Sequence, residues 1–433
     1  MSSTSPSTND TTSRPDREGR LIESGPGFAS GLRDLPRHLN VATVGAGLVA
    51  AIFGCTGPAL IIINGGAEAG LSADLITSWI FGIYVFGGVI SLVLALYYKS
   101  PVTGAWSIPG AVLVVGALAT FEFSDMVGSF LVAGLLVLLL GVTGLMRRVA
   151  AWLPVPIVMA MIAGALIRFG IGVVDAGLSA PVIVGAAVIG FLLLSRFIKS
   201  VPGAVGALLL GTAAAAVTGA FNDSAAGLGM TAPTLMAPTF DVNAILAVSV
   251  PLAVLVIGAE NAQATGVLMA EKYRPPVNSM TLISGLGGIL ASVFGGHNAN
   301  IAGPMTAICS SEQAGEDRSG RYAATVVNGI LFIAFGIAAG AAVAAVSMLP
   351  GELIAAVAGL AMIGVLLSAF SGAFAGSRFQ VGALAALVIA MSGVTVLNIS
   401  SPFWALVGGV LISLVLEPKD FKADGTTHDG QTA

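Results

Sequence analysis

The chain has 433 residues, of which 56% are hydrophobic and only 9% are charged, whereas soluble domains carry about 25% charged residues. Apolar stretches of roughly twenty residues recur along the whole length, which is typical of a helical protein that crosses a membrane many times. The net charge of −4 says little about partners, because the placement of charge matters more here than its sum. We expect an all-α polytopic membrane protein whose immediate surroundings are the lipid bilayer, with no nucleic-acid partner.

The two ends of the chain differ from the rest. Residues 1–38 begin with a polar stretch rich in Ser, Thr and Pro and have no apolar signal-peptide core, so we predict a disordered cytoplasmic tail. Residues 418–433 are predicted to form a second cytoplasmic tail. Cys55 and Cys309 lie far apart in two apolar segments, a placement that favours neither a metal site nor a disulfide framework.

Fourteen apolar segments can be placed, and the third and tenth are too short to span a membrane alone. They lie at about 41–63, 75–98, 108–120, 127–146, 154–171, 178–195, 202–221, 244–270, 278–294, 303–311, 323–347, 353–370, 379–397 and 402–416. With the N-terminus inside, 17 of the 18 Lys and Arg residues fall on the cytoplasmic side, as the positive-inside rule requires. Arg168, near the outer end of the fifth segment, is the exception. Both termini are therefore predicted to be cytoplasmic.

The second seven segments are inverted relative to the first seven, because the eighth starts on the outside. The predicted repeats are residues 39–243 and 244–417. The third segment (TGAWSIPG) and the tenth (GGHNANIAGP) both lead through a polar stretch into a proline, which suits the first turn of a helix. We predict half-helices that begin just before Pro109 and near Gly303 or Pro304. Such paired interruptions indicate a transporter's binding site, towards which two helix N-termini aim free N–H groups.

Glu260 is the one acidic residue deep inside an apolar segment, the eighth. At ~1.5 Å per residue it lies roughly 15 Å from the cytoplasmic end of a ~30 Å hydrocarbon core. A carboxylate there is costly, so we expect it to face a cavity and to bind a proton or a substrate; the alternative is a Glu that only holds helices together. Gln263 lies one turn away on the same face. Asn261 points elsewhere, towards either a structural hydrogen bond or the substrate.

For His297 and Trp106 the sequence leaves two roles open. The imidazole of His297 is expected either to contact the substrate or relay a proton, or to cap the broken segment, and Trp106 either to stack on a planar substrate or to pack in the core. No acidic cluster accompanies His297, so no metal site is predicted. No cofactor is expected besides a coupling proton. The candidate substrate- and proton-binding residues are Glu260, Asn261, Gln263, His297, Asn298, Asn300, Pro304, Thr306, Trp106, Ser107 and Thr56.

Several stretches resemble the benzoate:proton symporter family. They are YRPPVN at 273–278, FGGHNANIAGPMTAICSS at 294–311, RYAA at 321–324, and ENAQATGVLMAEKY, which begins at Glu260. The resemblance implies the inverted-repeat fold of uracil:proton symporters and sulfate permeases, with segments 1–4 and 8–11 as a core domain and segments 5–7 and 12–14 as a gate domain. It also implies proton-coupled uptake of a small aromatic carboxylate across the bacterial inner membrane.

The chain departs from that family at one point. Where the family usually carries a neutral Gln before the Asn and a Pro-Gly soon after, this chain has Glu260 and then Gln263-Ala264. An Ala-Glu pair there resembles the nucleobase symporters, so a nucleobase or another small anion is the alternative substrate. An enzyme is not expected, because no nucleophile–base or metal-ligand motif is present. Whether the protein forms a homodimer stays open.

Overall fold

A computed structural model describes residues 21–55, 57–144, 154–198, 203–222, 232–394, 396 and 401–421. Helices occupy each of the fourteen predicted segments, which confirms the all-α polytopic architecture. The elements are α1 (Phe28–His38), α2 (Val41–Cys55), α3 (Gly57–Glu68), α4 (Ala73–Tyr98), β1 (Gly104–Ala105), α5 (Ile108–Ala117), α6 (Phe123–Thr143), α7 (Val155–Ser179), α8 (Pro181–Phe197), α9 (Gly203–Thr218), α10 (Val242–Met269), α11 (Val277–Ser292), β2 (Asn300–Ile301), α12 (Gly303–Ser310), α13 (Tyr322–Ile337), α14 (Ala339–Ser347), α15 (Gly351–Phe374), α16 (Gln380–Ser392) and α17 (Ser401–Leu416).

Small residues let these helices approach closely. In the described residues, seven helical runs are long and apolar enough to cross a membrane, and lipid gives them no hydrophobic drive to associate, so packing must hold them together. Gly190 of α8 and Gly206 of α9 show how. A Cβ built on either glycine would lie 2.1 or 2.2 Å from the carbonyl oxygen of the other, so the two backbones are in direct contact.

The helices pair in two sets. Extensive packing joins α4 to α13, α6 to α11 and α2 to α13, and separately α7 to α15, α8 to α9 and α16 to α7 and α17. The first set comes from segments 1, 2, 4, 9 and 11, and the second from segments 5–7 and 12–14. The function of these sets as a core and a gate stays a prediction.

The third and tenth segments are broken as predicted. Each has a two-residue strand followed by a half-length helix, and β1 pairs with β2 in antiparallel register, with Gly104 opposite Ile301 and Ala105 opposite Asn300. The strands satisfy each other's backbone groups at a depth where water is scarce. The crossing therefore brings the N-terminal ends of α5 and α12 together in the middle of the molecule.

The prediction of a disordered tail up to residue 38 is wrong for α1, which is helical from Phe28 to His38. Its apolar residues Phe28, Leu32 and Leu35 recur at helical spacing, a signal that the preceding polar composition obscured. The Phe28 ring meets the Tyr97 ring edge-on at 5.3 Å. Asp34 accepts a hydrogen bond from Lys99 at 2.7 Å, and this contact lowers the pKa of Asp34. The helix is thereby fixed to the end of α4.

Glu23 attaches the segment before α1 to a second helix. Its carboxylate accepts hydrogen bonds from the backbone N–H groups of Asn278 and Ser279, both at 2.8 Å, and from the Ser279 hydroxyl at 2.5 Å. These N–H groups belong to the first turn of α11 and have no acceptor within their own helix. A carboxylate at this end also complements the helix dipole. Glu23 therefore acts as an N-terminal cap supplied from far away in sequence.

We expect Glu23→Ala to destabilise the protein by about 1–3 kcal/mol, because it leaves charge-assisted hydrogen bonds unmade at the α11 terminus. Thermal unfolding of the detergent-solubilised protein measures this as a lower Tm. Glu316→Ala is the matched control, since Glu316 is exposed and makes no hydrogen bond within the described residues. Equal Tm values for the two variants would contradict the capping role.

Candidate functional site

The first half-helix, α5, opens with a side-chain cap. The hydroxyl of Ser107 accepts a hydrogen bond from the N–H of Gly110 at 3.1 Å, and Pro109 occupies the first turn. This local pattern explains why the helix begins where it does, because Ser is a favoured N-cap residue and Pro needs no acceptor in the first turn.

The second half-helix, α12, is held to the strand before α5. The N–H of Ala302 donates to the carbonyl of Thr103 at 2.8 Å, and the N–H of Thr103 donates to the hydroxyl of Thr306 at 3.1 Å. Pro304 again lies in the first turn, but no side chain caps this N-terminus from within its own segment. The start of α12 therefore depends on a partner from elsewhere in the fold.

Glu260 is that partner. Its side chain is buried, with the residue only 4% exposed, and its Oε2 accepts a hydrogen bond from the N–H of Gly303 at 3.1 Å. The hydroxyl of Ser107 and the N–H of Ile108 interact with the same carboxyl group. The N-termini of α5 and α12 thus meet on one acidic side chain, in the arrangement by which helix N-termini bind anions.

The helix that carries Glu260 is locally widened. Residues Leu255–Asn261 of α10 adopt a π-helical turn, and such single turns occur frequently at functional sites. Gly303 allows the close approach on the other side, because a Cβ there would lie 2.4 Å from the Gln263 side-chain oxygen. The site is therefore built from an irregular turn facing a residue with no side chain.

A cavity of about 210 Å³ lies beside this carboxyl group. Among the described residues that line it, the polar side chains are Glu260 and Gln263 from α10 and Ser368 from α15, and the others are apolar. The lining residues are Phe53, Ile108, Pro109, Met159, Ile162, Ala259, Glu260, Gln263, Pro304, Gly364, Ser368 and Ala369. One wall comes from α7 and α15 of the second helix set, and the other comes from the two half-helices and α10, together with Phe53 of the first set.

The structure brings four of the predicted residues to this place. Glu260, Gln263 and Pro304 line the cavity, and Ser107 contacts the carboxyl group of Glu260. Thr56 lies outside the described residues.

His297 lies behind the half-helices and does not line the cavity. Its Nδ1 accepts a hydrogen bond from Trp79 Nε1 at 3.0 Å, and its Nε2 lies 3.2 Å from the carbonyl oxygen of Ser107. Because an indole N–H can only donate, the His297 proton is on Nε2 and is donated to Ser107. Of the two roles predicted for His297, the geometry matches the structural one, which ties the tenth segment to the third.

Trp106 is also absent from the cavity lining. Its ring packs edge-on against the rings of His297 and Tyr84, at centroid distances of 5.7 and 5.9 Å. The aromatic side chain that does line the cavity is Phe53 of α2. In this structure Trp106 packs against buried rings, and its role towards the substrate stays a prediction.

The three asparagines and Thr306 brace the backbone around the site. Asn261 accepts from the Ser284 hydroxyl at 3.2 Å, and Asn298 accepts from the N–H of Ser107 at 3.0 Å. Asn300 donates to the carbonyl of Ile301 at 2.9 Å. These side chains hold the broken segments in place and do not line the cavity.

Sequence reasoning missed the wall formed by α7 and α15, namely Met159, Ile162, Gly364, Ser368 and Ala369. Small and apolar residues at these positions do not differ from ordinary membrane-helix residues, so the sequence carries no signal for them. It also missed Arg321, which is 2% exposed and donates to Glu271 at 2.9 Å and to the carbonyl of Ser310 at 2.5 Å. That side chain joins the C-terminal ends of α10 and α12. Its presence in the RYAA motif was an available signal.

Crossed half-helices around a central cavity, within a bundle of membrane-spanning helices, define the class of secondary transporters built on inverted repeats. The family described as "Benzoate membrane transport protein" matches residues 37–415, and the chain belongs to this family. Its members are membrane transporters rather than enzymes.

Two curated relatives cover nearly the whole chain. A benzoate membrane transport protein of Acinetobacter baylyi is 28% identical over 389 residues, which are 90% of this chain and 98% of the relative. The inner membrane protein YdcO of Escherichia coli is 29% identical over 374 residues, covering 86% of this chain and 95% of the relative.

Solved structures share the fold at low sequence identity. The transmembrane domain of the cyanobacterial bicarbonate transporter BicA aligns with a TM-score of 0.59 at 17% identity, covering 88% of this chain and 97% of that one. The murine anion transporter Slc26a9 in its inward-facing state aligns with a TM-score of 0.57 at 13% identity, covering 89% and 70%. At these identities the likeness shows the fold alone.

We expect His297→Ala to lower stability by about 1–3 kcal/mol, because it leaves the Trp79 indole N–H buried without an acceptor. His297→Gln keeps a donor and an acceptor and is expected to lose less. The Tm values of the two variants in detergent test this ordering. A His297→Ala protein with wild-type Tm but no transport would instead place the imidazole in ligand or proton handling.

Proposed function

We propose that the protein takes up a small planar aromatic carboxylate, of which benzoate is the simplest, across the bacterial inner membrane together with a proton. The observation that carries this proposal is the position of Glu260, whose carboxyl group lies at the N-termini of both half-helices and at the edge of an apolar cavity.

The cavity suits one aromatic ring. An apolar protein cavity of ~150 Å³ is large enough to bind benzene, and the cavity here has about 210 Å³. Its walls include Phe53, Met159 and Ile162, which favour a flat apolar body over a hydrated ion such as sulfate. The charged and amide side chains, Glu260 and Gln263, lie on one side, and the opposite wall contributes only the hydroxyl of Ser368 among the described residues. A ring with a single carboxylate would match this distribution of polarity.

The coupling follows from competition for the same donors. A substrate carboxylate is best held by the N–H groups at the starts of α5 and α12, and the N–H of Gly303 already binds Glu260. Two ionised carboxyl groups a few ångströms apart in a site of low dielectric repel strongly. Binding of the substrate anion thus requires that Glu260 take up a proton, and that proton then travels with the substrate.

The orientation of the protein in the membrane is inferred from the charge pattern, and the transport movement from the helix packing. With the basic ends inside, as the positive-inside rule requires, both termini are cytoplasmic. The helix set of segments 1–4 and 8–11 acts as the core that carries the site, and segments 5–7 and 12–14 act as the gate. Movement of one set against the other exposes the cavity to each side in turn.

A nucleobase is the second candidate. Glu260 and Gln263 lie on the same side of the cavity, and their oxygen atoms can accept hydrogen bonds from the ring N–H groups of a neutral base. Uptake of labelled benzoate, uracil and sulfate into proteoliposomes under an imposed pH gradient decides between them. Accumulation of benzoate alone supports the proposal, whereas accumulation of uracil alone overturns it.

Glu260→Gln keeps the shape and the hydrogen bonding of the side chain but fixes it in a neutral state. We expect this variant to bind and exchange benzoate across the membrane but to lose accumulation driven by a pH gradient. If a nucleobase is the substrate, the same change removes an acceptor, and binding weakens by about 1–3 kcal/mol.

Equilibrium binding and gradient-driven uptake, measured on this one variant, separate these outcomes. Glu316→Gln, at an exposed position without a hydrogen bond in the described residues, is the matched control and should behave as wild type. Normal accumulation by Glu260→Gln would exclude Glu260 as the proton carrier.

A further inference from the structure

Arg168 is a basic side chain within a membrane segment, on the opposite side from the other basic residues. Seventeen of the eighteen Lys and Arg residues fall at the opposite face by sequence. In the structure the Nη2 of Arg168, on α7, donates a hydrogen bond to the carbonyl of Val112, on α5, at 3.2 Å. A Cβ built on Gly116, one turn further along α5, would lie 3.8 Å from the same nitrogen. The guanidinium therefore lies along the face of the half-helix.

This charge has no ion-pair partner among the described residues. None of the four ion pairs found there includes Arg168, and the acidic group that acts on it from a distance is Glu68 at the end of α3. A guanidinium has five N–H donors, and one hydrogen bond from it is formed within the described residues. The guanidinium carbon also lies 5.4 Å from the centroid of the Phe169 ring, and the residue is exposed. A charged side chain without an ion pair in a membrane segment usually serves binding or transport.

Arg168 lies just beyond the cavity on the acidic side of the protein. Val112 follows Ile108 by one turn, or about 6 Å, and Ile108 is where α5 meets Glu260. Along α7, the cavity residues Met159 and Ile162 precede Arg168, which does not line the cavity. The guanidinium is thus placed between the cavity and the face where α3 and α5 end.

We propose that Arg168 is the docking site for the carboxylate of the incoming substrate on the periplasmic side. This inference rests on the proposed function and orientation. In the structure the guanidinium bonds to a neutral carbonyl and so joins α7 to α5. When α7 and α5 separate, the carbonyl is lost as a partner and an organic carboxylate replaces it, in a bidentate pair stronger than the bond it replaces.

The electrostatics of the outer face explain why such a group is needed there. The outer loops carry acidic residues, including Glu68, Glu122 and Asp125, so an approaching anion meets repulsion at the rim. One cation below that rim provides a local attractive potential along the path to the half-helices. The carboxylate would then pass about one helical turn along α5 to the N–H groups beside Glu260.

Directional transport assays test this proposal. Initial rates of labelled benzoate movement are measured in right-side-out vesicles for influx and in inside-out vesicles for efflux, at equal pH on both sides. For Arg168→Gln we expect the influx KM to rise about tenfold, as expected for loss of a charge-assisted hydrogen-bonded contact, while the efflux KM stays within about twofold. Without a gradient, a reversible carrier must have the same Vmax/KM for influx and for efflux. The lower Vmax/KM of Arg168→Gln therefore appears as a higher KM for influx and as a lower Vmax for efflux.

Two further variants and a change of ionic strength separate the effect of the Arg168 charge from other effects of the substitution. Arg168→Lys keeps the charge without the planar fork and is expected to fall between wild type and Arg168→Gln. Arg196→Gln, an equal loss of charge at an exposed position on α8 near the opposite face, should leave both KM values unchanged. Added salt should raise the influx KM of wild type but not of Arg168→Gln, because exposed charges are screened.

Equal KM changes in both directions would show a purely structural role, and unchanged KM values would show no docking role; either result overturns the proposal. Absence of benzoate transport by the wild-type protein in both kinds of vesicle overturns the proposed function, and this inference with it. Transport by wild type with no asymmetry in Arg168→Gln overturns this inference alone.

Discussion

The fold depends on one electrostatic constraint, which is that two helix N-termini point at each other in the middle of a membrane. Each carries free N–H groups and a partial positive charge, and lipid offers them no acceptor. The carboxyl group of Glu260 supplies the missing acceptor, through the N–H of Gly303 on one side and the Ser107–Ile108 turn on the other. An anion at this position is therefore a structural requirement of the crossed half-helices, and in the unloaded protein a side chain meets it.

The surrounding structure keeps that arrangement in register. The β1–β2 pair aligns the two broken segments, and the imidazole of His297 links them from behind through Trp79 and Ser107. At the far end, Arg321 joins α10 to α12 through Glu271 and Ser310. These contacts fix the two half-helices and α10 as one unit, whereas the opposite cavity wall, on α7 and α15, meets that unit mainly through apolar residues. In the proposed function this division lets one wall move against the other, and the Arg168–Val112 hydrogen bond is a polar contact that such a movement would break.

The sequence contained the polar part of this site and little of its apolar part. Proline after a polar stretch located the starts of α5 and α12, and an isolated acid in an apolar run located Glu260, because both break the ordinary rules of a membrane helix. Met159, Gly364 and Ala369 are ordinary residues for a membrane helix, so their position at the cavity could not be predicted from the sequence. It follows only from how the helices pack. His297 and Trp106 were recognised as special, but their observed partners Trp79 and Tyr84 are distant in sequence and could not be predicted from it. The helix α1 was missed because a polar tail precedes it.

In the proposed function a substrate carboxylate takes the place of the Glu260 carboxylate, which must then be neutralised. Proton uptake on binding measures this directly: benzoate is added to the purified protein in weakly buffered solution, and the change in pH is recorded alongside the amount bound. We expect each bound benzoate anion to draw about one proton from solution, and Glu260→Gln to bind benzoate without drawing one. Binding of benzoate by the wild-type protein with no proton uptake, at any pH at which Glu260 begins ionised, would contradict this exchange of carboxylates.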